Sequence, residues 1–103
     1  MKEKTNRKAL NSYLQKMGER IAKLRKERGL TQADLAYWCQ MDTSTISKAE
    51  RGMIDLKTSS LFALCEVFGI DFASLMDFPG AKEMRREIFK HQPKVLNSTL
   101  SAI

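Results

Sequence analysis

Few residues in this 103-residue chain could do covalent chemistry. Cys39 and Cys65 share neither a metal-ligand nor a redox spacing, which reads as two free, buried thiols in a reducing compartment. His91 is the lone histidine and has no partner for a metal or catalytic role. No nucleophile with its base, carboxylate pair, Gly-rich phosphate loop or metal cluster is present, so the sequence predicts no catalytic residue, no metal and no cofactor. An enzyme is therefore not expected. What the chain offers in quantity is positive charge, 18 Lys and Arg against 12 Asp and Glu, and its placement is uneven. Residues 1–30 hold ten Lys/Arg against three Glu, residues 31–80 three against seven acids, and residues 81–103 five against two. A basic end on an acidic block suggests contact with a polyanion, and phosphate backbones are the polyanions a cytoplasmic protein meets most often. For residues 16–28 alone, a solvated, salt-bridged helix face accounts for the charge equally well.

The elements that must position such charges read as helices. A hydrophobic fraction of 43% in 11.8 kDa suits one compact domain with modest extensions. No apolar run approaches the roughly 20 residues of a membrane span, and the basic start lacks the apolar core of a secretion signal. A soluble, cytoplasmic protein is expected. Leu10, Leu14, Met17, Ile21 and Leu24 keep one helical face, with Asn11 a cap for a start near Ser12 and Gly29 the stop. Thr31 caps a second helix over 32–39, in which Leu35, Ala36 and Cys39 share a face. Asp42 or Thr43 caps a third over 43–51, with Ile46 and Ala49 facing inward and Gly52 closing it. A fourth runs from about Thr58 to Phe68, stopped by Gly69, and a fifth from Asp71 to about Phe78, ended by Pro79 and Gly80. Two eight-residue helices joined by a very short turn give the helix-turn-helix geometry, whose second helix fits the roughly 12 Å major groove.

At this point the string MGERIAKLRKERGLTQADLAYWCQMDTSTISKAERG resembles the lambda-repressor-like, or xenobiotic-response-element (XRE), helix-turn-helix regulators of the Cro and C1 type. The likeness covers about Met17 to Phe78. It implies an all-α, five-helix DNA-binding domain over 12–78. The resemblance further implies that Thr43, Ser44, Ser47 and Lys48 read bases, Lys48 as a donor to guanine and the hydroxyls as permissive partners. Gln32 matches a glutamine that grips phosphate, and Arg51, Lys57 and the helix start at Thr58, Ser59 and Ser60 are further backbone contacts. Arg25 and Glu50 match a charge pair that orients the recognition helix, with Arg25 also placed among the phosphate contacts. The chain departs from the pattern at Gln40, where relatives usually have glycine, so a left-handed turn there carries strain of about 1 kcal/mol. Tyr37 and Trp38 replace polar groups; they form either an interaction patch or a surface packed under the chain's own extensions.

Residues 1–11 are taken as a basic arm in which Lys2, Lys4, Arg7 and Lys8 reach phosphates, or as a disordered start; a longer first helix is the other reading. Residues 79–103 are an extension. There Met84, Ile88 and Phe89 predict a short apolar-sided helix, followed by Val95, Leu96, Leu100 and Ile103, which must pack on the domain or on a second copy. The expected function is a sequence-specific transcriptional regulator, a repressor binding double-stranded DNA at an inverted repeat as a homodimer through the fifth helix and the tail. The alternative is an antitoxin, with a partner protein held by the tail or by Tyr37 and Trp38. No membrane contact is expected.

Overall fold

The computed structural model describes residues 6–90, and these form helices α1 (Arg7–Glu27), α2 (Gln32–Cys39), α3 (Thr43–Glu50), α4 (Thr58–Phe68), α5 (Phe72–Met76) and α6 (Ala81–Ile88) with no strand. None of the described helices is long and apolar enough to cross a membrane. Helices as short as α2 to α6 do not hold their shape alone in water, so each must bury a face. The most completely enclosed large side chains are Ile21, Leu35, Ile46, Leu64, Leu75 and Ile88, one from each helix. They meet in a single core, so every helix is tied to the others by burial of a residue worth roughly 1.5–3 kcal/mol. Within it α1 packs on α3 and α6, α2 on α3 and α4, and α4 on α5.

Local signals set most boundaries. The Thr31 hydroxyl accepts from Asp34 N at 3.0 Å and the Asp34 carboxylate accepts from Thr31 N at 2.9 Å, a reciprocal box that starts α2. Those bonds hold the Asp34 carboxyl below its ordinary range, and the bonds with Ser74 do the same for Asp71, the cap of α5. Both contributions are present at neutral pH and are lost as the pH falls through the depressed value. Helices α1, α2 and α4 all end in a left-handed residue whose successor bonds back across the last turn: Leu30 N to Arg25 O, Met41 N to Ala36 O, and Ile70 N to Cys65 O. At two of these ends the residue is Gly29 or Gly69; at the third it is Gln40, with φ 56° and ψ 44°. Relief of that strain is offset in part by the greater freedom glycine gives the unfolded chain, so Gln40→Gly is expected to gain about 0.5–1 kcal/mol. A urea-denaturation midpoint that does not rise would remove the strain argument.

Three readings of the sequence need correction. Helix α1 begins at Arg7 and not near Ser12, because Asn6 rather than Asn11 is the cap: its Oδ1 accepts from Ala9 N at 3.1 Å. The extra turn is sheltered by α6, which lies along it with Asn6 N donating to Ile88 O at 3.1 Å. Helix α5 stops at Met76, two residues early, yet Phe78 is still buried, its ring edge-on to Tyr13 at 5.2 Å. In α6, Ala81 and Ile88 are the buried residues, while Phe89 lies at the surface rather than beside them in the core. The core thus continues past residue 78. Lys2, Lys4, His91, Val95, Leu96, Leu100 and Ile103 lie outside the described residues.

Cys39 and Cys65 are free and buried, as expected. Burial pushes the Cys39 thiol up to about 11, and burial, then Asp71 and Glu66, raise that of Cys65. Raised values leave little thiolate at pH 8, so alkylation by iodoacetamide should be slow and should track unfolding. Rapid labelling of the folded protein would contradict this.

Candidate nucleic-acid interface

Helix α3 is held by its inner face and open on its outer one. Ile46 is 0% exposed and Ala49 is buried behind it, whereas Thr43, Ser44 and Lys48 are exposed and Ser47 is half-buried. Positions 43, 44, 47 and 48 repeat at helical spacing, so the four side chains project from one strip opposite the anchors. The strip carries hydroxyls at its start and one ammonium a turn later. Asp42 stands at the N-cap without a side-chain cap bond, which leaves the first α3 amides directed outward.

Orientation of α3 depends on a network of α1, α2 and α3. Arg25 Nε donates to Glu50 Oε2 at 2.6 Å and Nη2 to Glu50 Oε1 at 3.0 Å, a bidentate pair. Arg25 Nη1 donates to the Leu30 carbonyl at 2.8 Å, and Gln32 Nε2 donates to Glu50 Oε1 at 2.9 Å. The pair is largely enclosed, with side-chain exposures of 11% for Arg25 and 6% for Glu50. Bonding to Glu50 holds the guanidinium charged beyond its ordinary range. One carboxylate therefore ties the end of α3 to the start of α2 and the last turns of α1. Arg25 and Glu50, nominated from the sequence as a pair, are joined here by Gln32, which was nominated separately. Arg25 directs three donors inward, and the half-buried Gln32 gives one amide bond to Glu50.

The remaining nominees sit apart from this cluster. Arg51 is exposed and its Nε donates to Ser47 O at 3.3 Å, folding the side chain back along α3. Lys57 is the exposed N-cap residue of α4, with Thr58 and Ser59 exposed after it and no side-chain cap bond. Ser60, grouped with them from the sequence, is buried because it faces the core side of the first α4 turn.

Gly18, which escaped the sequence reading, and Gly52, expected only as the end of α3, set α1 against α3. A Cβ on Gly18 would run into the Ala49 and Glu50 carbonyl oxygens, and one on Gly52, where φ is +72°, would lie 2.7 Å from Gln15 Cα. Helix α1 therefore crosses the end of α3 backbone to backbone. For Gly18 the only sequence signal was a glycine inside a helical pattern, which also reads as mere weakness.

With this geometry in place, comparison with known proteins is decisive. Residues 16–77 match the model of the helix-turn-helix domain, more than half of the chain. The chain is a member of the XRE-type helix-turn-helix family. This XRE-type protein is 36% identical over 72 residues to the HTH-type transcriptional regulator RamB of Mycobacterium tuberculosis, a match spanning 67% of the chain but only 15% of RamB. It is 30% identical to the restriction-modification controller protein C.AhdI of Aeromonas hydrophila, with a TM-score of 0.61 over 62% of this chain and 97% of that one. The likeness to the clp gene regulator ClgR of Corynebacterium glutamicum, 20% identical with a TM-score of 0.62, concerns the fold and covers 84% of this chain and 93% of that one. The all-α, lambda-repressor-like fold expected from the sequence is the one observed, and the family's helix-turn-helix is a DNA-binding device.

Proposed function

We propose that this XRE-type protein is a sequence-specific transcriptional repressor that binds an inverted-repeat operator as a homodimer. The observation carrying the proposal is the outward strip Thr43, Ser44, Ser47 and Lys48 on a helix anchored by Ile46 and oriented by Glu50. Placed in the major groove, Lys48 donates to guanine O6 and N7, while the hydroxyls meet several bases, so DNA shape supplies part of the selectivity. Gln32, through the amide hydrogen that Glu50 does not take, joins Arg51, Lys57 and Thr58 in holding phosphates, and the start of α4, which has no side-chain cap bond, adds amide donors. Arg25 acts chiefly by holding Glu50. One such module buries only about 600–1,000 Å² on DNA, so two copies on half-sites about 34 Å apart give the affinity a regulator needs. A dimer seated there excludes other proteins from the same DNA.

Selection of bound duplexes from a random pool gives the operator. On it, Lys48→Ala should cost about 1–3 kcal/mol and relax preference at one base position, whereas Lys57→Ala should weaken all sequences alike and flatten the salt dependence. With about eight phosphate contacts per dimer, log K should fall against log salt with a slope near −7. Equal loss on operator and random DNA for Lys48→Ala would show that it reads no base.

A second reading, an antitoxin with a protein partner, draws on Tyr37 and Trp38. These α2 residues are 74% and 63% exposed and stand edge-on to each other at 5.1 Å. Co-purification of a partner lost on Tyr37→Ala with Trp38→Ala would favour it.

A further inference from the structure

An open groove of about 520 Å³, a volume suited to a small molecule, lies where three helices end. Its lining comes from the close of α1 (Arg28 and Leu30), the last turn of α2 (Trp38) and the last turn of α4 (Glu66 and Val67). The last carbonyls of a helix carry partial negative charge, so the groove stands among three ends that attract a cation. Arg28 answers part of that field. Its Nε and Nη2 donate to Phe68 O at 3.0 and 2.7 Å and its Nη1 donates to Leu24 O at 2.9 Å. The guanidinium also lies 5.1 Å from the centre of the Phe68 ring, and the Glu27 carboxylate is 4.0 Å from Nη1. Its charge is thus matched by its own surroundings. Glu66 is not matched: it is exposed, and its carboxylate makes no hydrogen bond or ion pair among the described residues. In the same groove the Trp38 indole is open to solvent, and the half-buried Leu30 and Val67 supply apolar surface.

We infer that this groove binds a small organic cation with an apolar body, of which an aryl-alkylamine is the simplest example. The ammonium pairs with Glu66 and faces the three helix ends, while the body stacks on the Trp38 indole and covers Leu30 and Val67. An anion of the same shape meets Glu66 and the helix ends with the wrong sign, and a neutral molecule gains only the apolar contact. The inference does not depend on the DNA reading, since none of the lining residues belongs to the strip on α3 or to the phosphate contacts proposed beside it.

Trp38 is the only tryptophan of the chain, so its emission reports the groove directly. The full chain is titrated at neutral pH with 2-phenylethylamine, and with 2-phenylethanol and 3-phenylpropionate as its neutral and anionic counterparts. The amine should give a saturable change with a Kd of about 1 mM or lower, and the other two should bind about tenfold more weakly. Added salt should weaken the amine and leave the alcohol unchanged. Glu66→Gln should reduce affinity for the amine about threefold without affecting the alcohol, and Glu66→Lys should remove the preference for the amine altogether. Glu66 is exposed, so neither change touches the core, and far-UV circular dichroism checks the fold. The melting temperature gives a readout that needs no tryptophan: the amine should raise that of the parent and not that of Trp38→Ala. The inference is overturned if the amine gives no saturating change by about 10 mM, ten times the upper expected Kd. It is equally overturned if the alcohol or the carboxylate binds as tightly as the amine, or if Glu66→Lys keeps the preference.

Discussion

Glu50→Ala should lose about 3–5 kcal/mol of folding stability, a large part of the roughly 5–15 kcal/mol that holds a domain together. The loss is that large because Glu50 is the common acceptor for Arg25 and Gln32 in a nearly water-free site. Its removal leaves a guanidinium buried without its counter-charge. The same argument does not make the ion pair a source of net stability, since taking both charges out of water costs about as much as their attraction returns. Replacing both by apolar residues, Arg25→Met with Glu50→Leu, should therefore recover most of what Glu50→Ala loses. Operator affinity should not recover in the double variant, because the tether that sets α3 against α1 and α2 is gone. Urea denaturation read beside operator titration separates the two effects. A Glu50→Ala variant within 1 kcal/mol of the parent would show that the network is dispensable.

Gly18→Ala is the second large effect, and its sign is contrary to helix propensity. At an exposed mid-helix site the change would stabilise by about 1 kcal/mol. Here the added methyl falls on the carbonyl oxygens of Ala49 and Glu50 and within 2.7 Å of the Glu50 carbonyl carbon, all backbone atoms of α3 that have no rotamer to escape into. Relief requires α1 and α3 to separate, which strains the Arg25–Glu50 bridge as well. The expected net loss is about 2–3 kcal/mol, with weakened operator binding. A raised melting temperature would mean that the two helices do not cross this closely.

What the sequence made legible divides along physical lines. Helices α2 and α4 have the bounds expected of them because Thr31, Asp34 and Gly69 act on their own neighbours. The start of α1 was ambiguous because Asn6 and Asn11 are equally good caps locally, and the choice between them is made by α6, far along the chain. Phe78 was placed in a helix because Pro79 and Gly80 were read as its end; it is buried edge-on to Tyr13 without being helical. In the site, the strip on α3 followed from periodicity and the family likeness. Gln32 was named as a phosphate contact from the family likeness; that its amide also donates to Glu50 is a contact between α2 and α3 that no local spacing encodes. Gly18 acts only through the backbone it admits, which leaves no trace in residue type beyond a missing side chain.

The bond from Asn6 N to Ile88 O closes the described chain on itself at the far end of α1. At 1.5 Å per residue that junction is roughly 28 Å along the helix from Arg25. Cargo joined on either side of it, whether a label, a tether or a neighbouring polypeptide, would leave from one corner, distant from the helix end that carries the Arg25–Glu50 bridge.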